Sequence, residues 1–388
     1  MPILLQPRRR SSSPPPRRRS GGRSPRSPGF TLVELLVSVA IFALLMVVVL
    51  NLIGVAQNAV TTQRARSGEF REARAVLERM AAAVSGATLH SYWAYGDYNT
   101  HRRVDYVRTS DGHFVSGPVG SLLAADHPAP GHGVFFQTLE GQAPGPDGSV
   151  VGQPFNLVQC LGFYVDFNSD LEFRPAFLRD ATDLYPERRR FRLMEFRLPS
   201  EESVIYSSEI DLNNESTPRN QAMRWFRGPF RNGGSVRDHS IILADNVLGL
   251  IIAPRYVVVE MQAGNLSENS TVTTLPARDF LFDSREAQWG AAGQKAEATM
   301  HQLPPALEVT LVVTDESSYS RQASALGEDE LAAAVRDAFA GLFADYNDID
   351  DDLQELEERL NELGLNHRLF STNIGIRGAR FVVEEFRL

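Results

Sequence analysis

The first feature of this sequence that could do chemistry is a single carboxylate at the start of a long apolar run. Glu34 lies in the stretch PGFTLVELLVSVAIFALLMVVVL, and no other charged residue follows it up to Ile53. A charged side chain beside hydrocarbon is costly, so it is normally paired or functional. The alternative is a glutamate that extends its carboxylate toward lipid headgroups. A paired role predicts that a cation comes within reach of Glu34.

The acidic run DYNDIDDD is a second candidate, because carboxylates at alternate positions can bind calcium. Asp348, Asp350 and Asp352 have the spacing of the first three EF-hand ligands. However, Leu353 stands where the loop needs glycine, and Arg359 stands where it needs glutamate. Aspartate is also favoured at helix N-termini, where its carboxylate accepts free backbone N–H groups. We expect helix capping here, with calcium as the weaker alternative, and no other cofactor.

No familiar catalytic arrangement is present in the sequence. The eight histidines are scattered, and there is no HExxH pair, no GxSxG and no glycine-rich phosphate loop. Cys160 is the single cysteine, so the chain can form no internal disulfide. The sequence therefore predicts a protein that is not an enzyme.

The element that positions Glu34 is predicted to be a transmembrane helix over residues 30–54. Between Leu35 and Ile53 the only polar side chains are those of Ser38 and Asn51. This run would be about 28 Å long as a helix, close to the roughly 30 Å hydrocarbon thickness of a bilayer. A cleaved secretory signal is the rival interpretation, but its apolar core is usually only about 7–15 residues long.

Residues 1–29 are predicted to be a disordered basic leader, rich in Ser, Pro and Gly. They contain eight arginines and no acid, although the whole chain has a net charge of −9. Positive charge beside a membrane span holds that side in the cytoplasm, which places the rest of the chain outside it. Because that remainder is strongly acidic, we expect no nucleic-acid partner.

Residues 55–89 are predicted to continue the helix as an amphipathic segment. Apolar residues recur there at intervals of three and four, which indicates one buried face. The members of this face are Phe70, Ala73, Leu77, Met80, Ala81 and Val84.

Residues 90–388 have the pattern of a β-rich globular head. Short strands such as FRLMEFRL and LEVTLVV alternate with turn residues and predict one antiparallel sheet system. Partial alternation in both strands predicts one buried face in each. Two amphipathic helices, EDELAAAVRDAFAGLFADY and DDDLQELEERLNELGLN, predict a helical hairpin before a final strand, ARFVVEEF. The predicted fold class is α+β, with a long N-terminal helix.

The stretch GFTLVE followed by an apolar helix resembles the class III leader of type IV pilins and type II secretion pseudopilins. The resemblance implies that a prepilin peptidase cleaves after Gly29 and methylates the new amino group of Phe30. It also implies that Glu34, the fifth residue of the mature chain, pairs with the Phe30 amine of a neighbouring subunit and sets the register between helices. The leader is long for this family, and Pro28 precedes the glycine.

Fragments of the head resemble the prepilin-like Verru_Chthon cassette protein C family. These fragments are FRLMEFRLPSEESVIY, LADNVLGLIIAPR, LPPALEVTLVVTDESS and RLFSTNIGIRGARF. That resemblance implies assembly with other prepilin-like proteins and no known catalytic activity.

Together these features predict a minor pilin or pseudopilin. Its expected partners are a prepilin peptidase/N-methyltransferase, other pilin-like subunits and inner-membrane lipid. We expect a single-pass protein of the bacterial inner membrane that moves into a periplasmic or surface filament on assembly. One alternative is an unprocessed, membrane-anchored periplasmic binding module or enzyme. Another is a secreted adhesin that begins near Val60 after signal removal.

Overall fold

A computed structural model describes most of the chain. The described residues are 31–95, 106–123, 130–139, 157–180, 183–199, 202–205, 218–231, 239–260, 271–289, 295–296 and 300–379. The chain divides into two compact units, Met1–Thr62 and Gln63–Leu388. The predicted leader, residues 1–29, lies outside the described residues.

The first element is the long helix α1, Leu32–Ser85, which contributes residues to both units. Its segment Leu32–Ile53 is long and apolar enough to cross a membrane, and its side chains are exposed. This confirms the predicted N-terminal apolar helix. The helix ends four residues before residue 89, because a turn at Gly86 leads directly into a strand at Ala87.

The second unit contains most of the β structure. In chain order the strands are β1 (Ala87–Thr88), β2 (Ser91–Tyr95), β3 (Tyr106–Ser110), β4 (Val115–Pro118), β5 (His132–Thr138), β6 (Gln159–Ser169), β7 (Arg189–Leu198), β8 (Ser240–Asp245), β9 (Val247–Glu260), β10 (Thr271–Pro276), β11 (Phe282–Asp283), β12 (Gln288–Trp289), β13 (Lys295–Ala296), β14 (Ala306–Thr314) and β15 (His367–Gly375).

The remaining helices are short. They are α2 (Val119–Leu122), α3 (Ala176–Arg179), α4 (Arg219–Ala222), α5 (Arg224–Arg231), α6 (Glu316–Leu326), α7 (Glu328–Phe339) and α8 (Ile349–Glu362). The α+β class with a large antiparallel region and C-terminal helices is therefore confirmed.

The strands form two main sheets, not the single sheet system predicted. A seven-stranded sheet has the order β11-β4-β5-β6-β7-β8, with β1 paired to β5. A four-stranded sheet has the order β10-β9-β14-β15, and β2–β3 and β12–β13 are separate two-stranded pairs. Gly131 forms a bridge to Leu250 of β9 immediately before β5, which brings the two sheets together.

The main hydrophobic core lies between the two sheets, the C-terminal part of α1 and helices α7 and α8. The buried face of α1 consists of Ala73, Val76, Leu77, Met80, Ala83 and Val84. On β7, Phe191 and Leu193 point into this core. The predicted apolar stripe of α1, from Ala73 to Val84, is thus packed into this core, and the side chain of Phe70 lies outside the described residues.

A second core covers the other face of the seven-stranded sheet. Trp225 and Phe226 of α5 pack there against Phe135 of β5 and Phe196 of β7. Both faces of β7 are therefore buried, and the prediction of one buried face was wrong. The partial alternation in its sequence does not mark a solvent-facing side, because the charged residues Arg190, Arg192 and Glu195 are themselves buried in ion pairs.

Near the C-terminus, α7 and α8 form the predicted helical hairpin, and α6 precedes them as a helix that was not predicted. Asp315 caps α6 by accepting a hydrogen bond from Ser318 N at 2.6 Å. The hairpin is followed by β15, which pairs with β14. The predicted strand ARFVVEEF lies almost entirely outside the described residues.

Candidate assembly site

The start of α1 is closed by reciprocal hydrogen bonds between Thr31 and Glu34. The backbone N–H of Thr31 donates to Glu34 Oε2 at 3.0 Å, and the Thr31 hydroxyl donates to the same oxygen at 2.9 Å. In return, Glu34 N–H donates to Thr31 Oγ1 at 3.3 Å. This is a capping box, in which two side chains satisfy the backbone N–H groups at the first turn. Glu34 therefore has an intrachain role in starting the helix.

The geometry leaves part of the Glu34 carboxylate available. Both hydrogen bonds from Thr31 go to Oε2, and Oε1 accepts none from the described residues. Both side chains are exposed, as is the apolar surface that follows up to Ile53. An exposed carboxylate at the head of an exposed apolar helix can accept a cation from another molecule while it keeps its cap.

Ser38 makes only local contacts. Its hydroxyl donates to the backbone carbonyls of Glu34 and Leu35, at 2.8 and 2.9 Å. A serine that returns its hydroxyl to the preceding turn is tolerated in an apolar helix, because no polar group is left unsatisfied. Ser38 thus needs no partner outside the helix. Glu34 is the only charged side chain in the segment Leu32–Ile53.

Gly29 and Phe30, the predicted cleavage and methylation residues, lie outside the described residues. Thr31, which follows them directly, was not recognised as a site residue from the sequence. The signal was present, since T-x-x-E immediately before an apolar run is the sequence pattern of a capping box.

The acidic run near the C-terminus forms the beginning of α8. Asp348 occupies the N-cap position, and Asp350 and Asp352 lie in the first turn. Asp352 Oδ2 accepts a hydrogen bond from Phe343 N at 2.6 Å, which fixes the turn between α7 and α8. Among the described residues, no group of three His, Cys, Asp or Glu side chains is arranged to hold a metal ion. These aspartates therefore contribute to local structure and are not brought together as ligands.

The C-terminal part of α1 is fixed to the large sheet by an ion pair. Arg79 Nη2 donates to Glu195 Oε1 on β7 at 2.7 Å, and Arg197 Nε donates to the same oxygen at 3.0 Å. Glu195 is fully buried. Burial by itself raises its pKa, but the hydrogen bonds and charges of the two arginines hold the pKa below the usual value for glutamate. Glu195 thus stays charged and locks the helix to β7.

A buried polar network lies on the opposite face of the same sheet. His113 Nε2 lies 2.8 Å from Asp283 Oδ1, and Trp225 Nε1 donates to His113 Nδ1 at 3.2 Å. Since Nδ1 accepts, Nε2 carries the proton and donates it to Asp283. Both His113 and Asp283 are buried, so a substrate has no access to the pair. The network attaches α5 to the sheet and has a structural role.

Comparison with known proteins gives one finding. A family model described as the prokaryotic N-terminal methylation motif matches residues 25–50, which include Gly29, Phe30 and the Thr31–Glu34 capping box. The match covers only a small part of the chain. No curated protein and no solved structure gives a significant match. The chain thus carries the N-terminal motif of pilin-like prepilins.

Proposed function

We propose that this protein is a minor pilin or pseudopilin, which is synthesised as a prepilin and built into a filament through α1. The observation that carries the proposal is the match of the methylation motif to residues 25–50. In this proposal a prepilin peptidase cleaves after Gly29 and methylates the amino group of Phe30. Other pilin-like subunits are then the partners of the apolar surface between Leu32 and Ile53.

Glu34 has a defined task in this assembly. Its Oε2 atom stays hydrogen-bonded to Thr31, and Oε1 accepts the cationic amine of Phe30 in a neighbouring subunit. An ion pair in a membrane environment is strongly favoured over an isolated carboxylate. Because one charge meets one charge, the pair also fixes how far adjacent helices are displaced along their axes.

The proposed location is the inner membrane before assembly, with the arginine-rich leader in the cytoplasm and residues after the span outside it. A periplasmic or surface filament is the proposed destination. The large second unit favours a minor subunit, because a repeating major subunit normally has a compact head. This step rests on family analogy.

The resemblance of head fragments to the Verru_Chthon cassette protein C family supports co-assembly with other prepilin-like proteins. No catalytic step is part of the proposal, and neither is a bound calcium ion. The rival function is a membrane-anchored module that is never processed.

The decisive experiment is mass spectrometry of the N-terminus after extraction from native membranes. The proposal predicts a chain that begins with N-methyl-Phe30. An intact N-terminus at Met1 overturns it in favour of the unprocessed module, and a chain that begins near Val60 overturns it in favour of a secreted protein. Inactivation of the peptidase in the same cells should restore the full leader.

The role of Glu34 is tested with variants that separate its charge from its cap. Glu34→Gln keeps a side chain able to complete the capping box but removes the charge. We expect normal processing and a loss of formaldehyde cross-links to other pilin-like subunits. Thr31→Ala keeps the charge and should retain most cross-links, and Ser38→Ala is the control within the same span. Normal cross-linking of Glu34→Gln contradicts the proposed ion pair.

A further inference from the structure

The strand β15, His367–Gly375, stands at one end of the four-stranded sheet. It pairs along its whole length with β14, and no described strand lies on its outer side. At its two ends, Asn366 O accepts a hydrogen bond from Asp315 N at 3.0 Å, and Ile376 N donates to Pro305 O at 3.1 Å. The backbone groups of even-numbered residues therefore point to β14, and those of odd-numbered residues point to the outer edge. Such an edge is a template for one more strand.

The chain turns back immediately after β15. Ala379 N donates to Ile376 O at 3.2 Å, which closes a four-residue turn. The turn is fixed to the end of α1, because Arg377 N donates to Ser85 O at 3.1 Å. Since β14 occupies the inner side of β15, a strand that returns from this turn can pair with β15 only along its outer edge. The next segment of the chain is residues 380–388, which lie outside the described residues.

An open groove of about 520 Å³ lies between α1 and β15. Its α1 wall contains Arg71 and Arg74, and its β15 wall contains the apolar side chains of Leu369 and Phe370. Arg74 is paired with Glu78, whereas Arg71 has no ion-pair partner in the described part of the chain. The groove therefore favours a segment that combines apolar and acidic side chains.

We propose that the outer edge of β15 is an internal docking site for residues 380–388, which add to the sheet as a fifth strand and keep this edge from pairing with another chain. The segment has the sequence RFVVEEFRL, in which valine and phenylalanine, both strand-favouring, flank Glu384 and Glu385. It has nine residues, as many as β15. An added strand gains main-chain hydrogen bonds along the edge, and its side chains select the site. This proposal does not depend on filament assembly.

The turn defines the register of the added strand. With Ile376 and Ala379 facing each other at the turn, antiparallel pairing places Phe381 opposite Ile374. The same register places Phe386 opposite Leu369. Pairs of aromatic and branched side chains across two strands stabilise a sheet. The pairing thus brings the apolar residues of the segment onto apolar residues of β15.

This register also directs one glutamate toward the arginines of α1. Leu311 of β14 lines a cavity together with Val76 of α1, so Leu311 faces this helix. Phe370 is paired with Leu311 and projects to the same face of the sheet. Glu385, which lies opposite Phe370 in the proposed register, therefore faces α1, and Glu384 faces away from it.

Engineered disulfides in the full chain, purified in detergent micelles, test the docking and its register. Thr372→Cys with Val383→Cys places two cysteines opposite each other, at a pair without mutual backbone hydrogen bonds and with Cα atoms about 4.5 Å apart. Thr372→Cys with Glu384→Cys is the matched control, because these side chains project to opposite faces. After mild oxidation, we expect an intramolecular disulfide in most molecules of the first variant and in few of the second.

Non-reducing electrophoresis and mass spectrometry of peptides separate the outcomes, and thermal unfolding shows that each variant is folded. Equal yields in the two variants overturn the register, and absence of any disulfide overturns the docking. A disulfide between two chains shows that the edge binds the segment of a second copy, which overturns the internal arrangement.

Hydrogen exchange gives a measurement that needs no added cysteine. Deletion of residues 380–388 should speed amide exchange at Leu369 and Ser371 at least ten-fold, since their N–H groups lose their acceptors, while β14 stays protected. Unchanged exchange at β15 overturns the proposal.

A charge reversal tests the contact with α1 by the same exchange measurement. Glu385→Arg should speed exchange at the outer edge of β15 several-fold through repulsion from Arg71, and adding Arg71→Glu should reverse the effect. Glu384→Arg is the matched control, since this side chain faces away from α1 in the proposed register. Equal effects of Glu384→Arg and Glu385→Arg overturn the assigned register.

Discussion

Arg79 of α1 and Glu195 of β7 form a hydrogen-bonded ion pair across 116 residues of sequence, with Nη2 and Oε1 2.7 Å apart. The carboxylate is completely buried, whereas the arginine is 36% exposed. The pair joins the C-terminal part of α1 to β7, which is the strand next to the edge strand β8 of the seven-stranded sheet. Glu195 is consequently a structural residue of the second unit, although it is a charged residue in a strand.

We predict that Arg79→Leu destabilises the folded chain by about 1–3 kcal/mol, because Glu195 is left buried with Arg197 as its remaining partner. The measurement is the free energy of unfolding in denaturant for the full chain in micelles. Arg74 forms a pair with Glu78 on the same helix with both side chains largely exposed. Arg74→Leu should therefore change stability by less than about 0.5 kcal/mol. Equal effects of the two substitutions contradict the prediction.

Gly249 on β9 is predicted to be intolerant of a side chain. A Cβ atom at this position would lie 2.3 Å from Cζ of Phe339, the last residue of α7. We expect Gly249→Ala to cost about 1–3 kcal/mol, since a packed core must shift to admit the methyl group. Adding Phe339→Leu should recover part of the loss, as measured by thermal unfolding.

Gly375 on β15 is the control for this substitution, because nothing lies within 4 Å of a Cβ placed there. Gly375→Ala should leave stability unchanged within about 0.5 kcal/mol. A similar loss at both glycines would show that strand conformation, and not contact with Phe339, causes the effect.

The folded chain is predicted to lose stability in acid through two buried histidines. His132 Nδ1 accepts a hydrogen bond from Ile252 N at 3.0 Å, and burial lowers the pKa of His132 to about 3. Burial similarly lowers the pKa of His301 to about 4. The unfolded chain takes up these protons near pH 6.5, so stability is full above that pH and falls as the pH drops toward 4.

Each buried histidine should contribute a slope of about 1.4 kcal/mol per pH unit in that window. His132→Gln removes one titrating group, and the slope of unfolding free energy between pH 6 and pH 4.5 should fall by roughly that amount. Paired carboxylates such as Glu316, whose pKa is lowered to about 2, lose their contribution at lower pH. An unchanged slope in the variant would show that His132 is protonated in the folded state.

Cys160 is predicted to be unreactive until the chain unfolds. It is 1% exposed, and burial raises the pKa of its thiol to about 11, although Ser203 and Gln137 contact the sulfur. Because the thiolate is the reactive form, labelling with a disulfide reagent at pH 8 should be very slow in the folded chain and complete in denaturant. Asn373→Cys adds an exposed thiol on β15 and should react at once. Rapid labelling of Cys160 would indicate local opening of the second core.

The sequence predicted those features that depend on neighbouring residues. The apolar run predicted the segment Leu32–Ile53 of α1, which is long and apolar enough to cross a membrane, and the leucine spacing predicted the α7–α8 hairpin. The T-x-x-E pattern is likewise the local signal for the capping box of Thr31 and Glu34, which the structure shows. The helix α6 was missed because its polar sequence has little apolar periodicity.

Two features of the head could not be read from local patterns. The strands divide into two sheets, and β7 is buried on both faces, because α1 covers one face and α5 covers the other. The alternating charges of FRLMEFRL suggested a solvent-facing side. Glu195 is buried there with two partners, Arg197 on the same strand and Arg79, which is far away in the sequence and comes close only in the fold.

By itself, the sequence determined that this chain has a prepilin-type motif, an apolar helix and an α+β head, since each rests on residue types at short spacing. Tertiary structure alone decided that Glu195 holds α1, that Asp352 accepts a hydrogen bond from Phe343 N, and that Trp93, Arg108 and His301 share one pocket. The physical reason is that burial and charge pairing depend on which distant segments meet. The spacing of neighbouring residues does not show which distant segments come into contact.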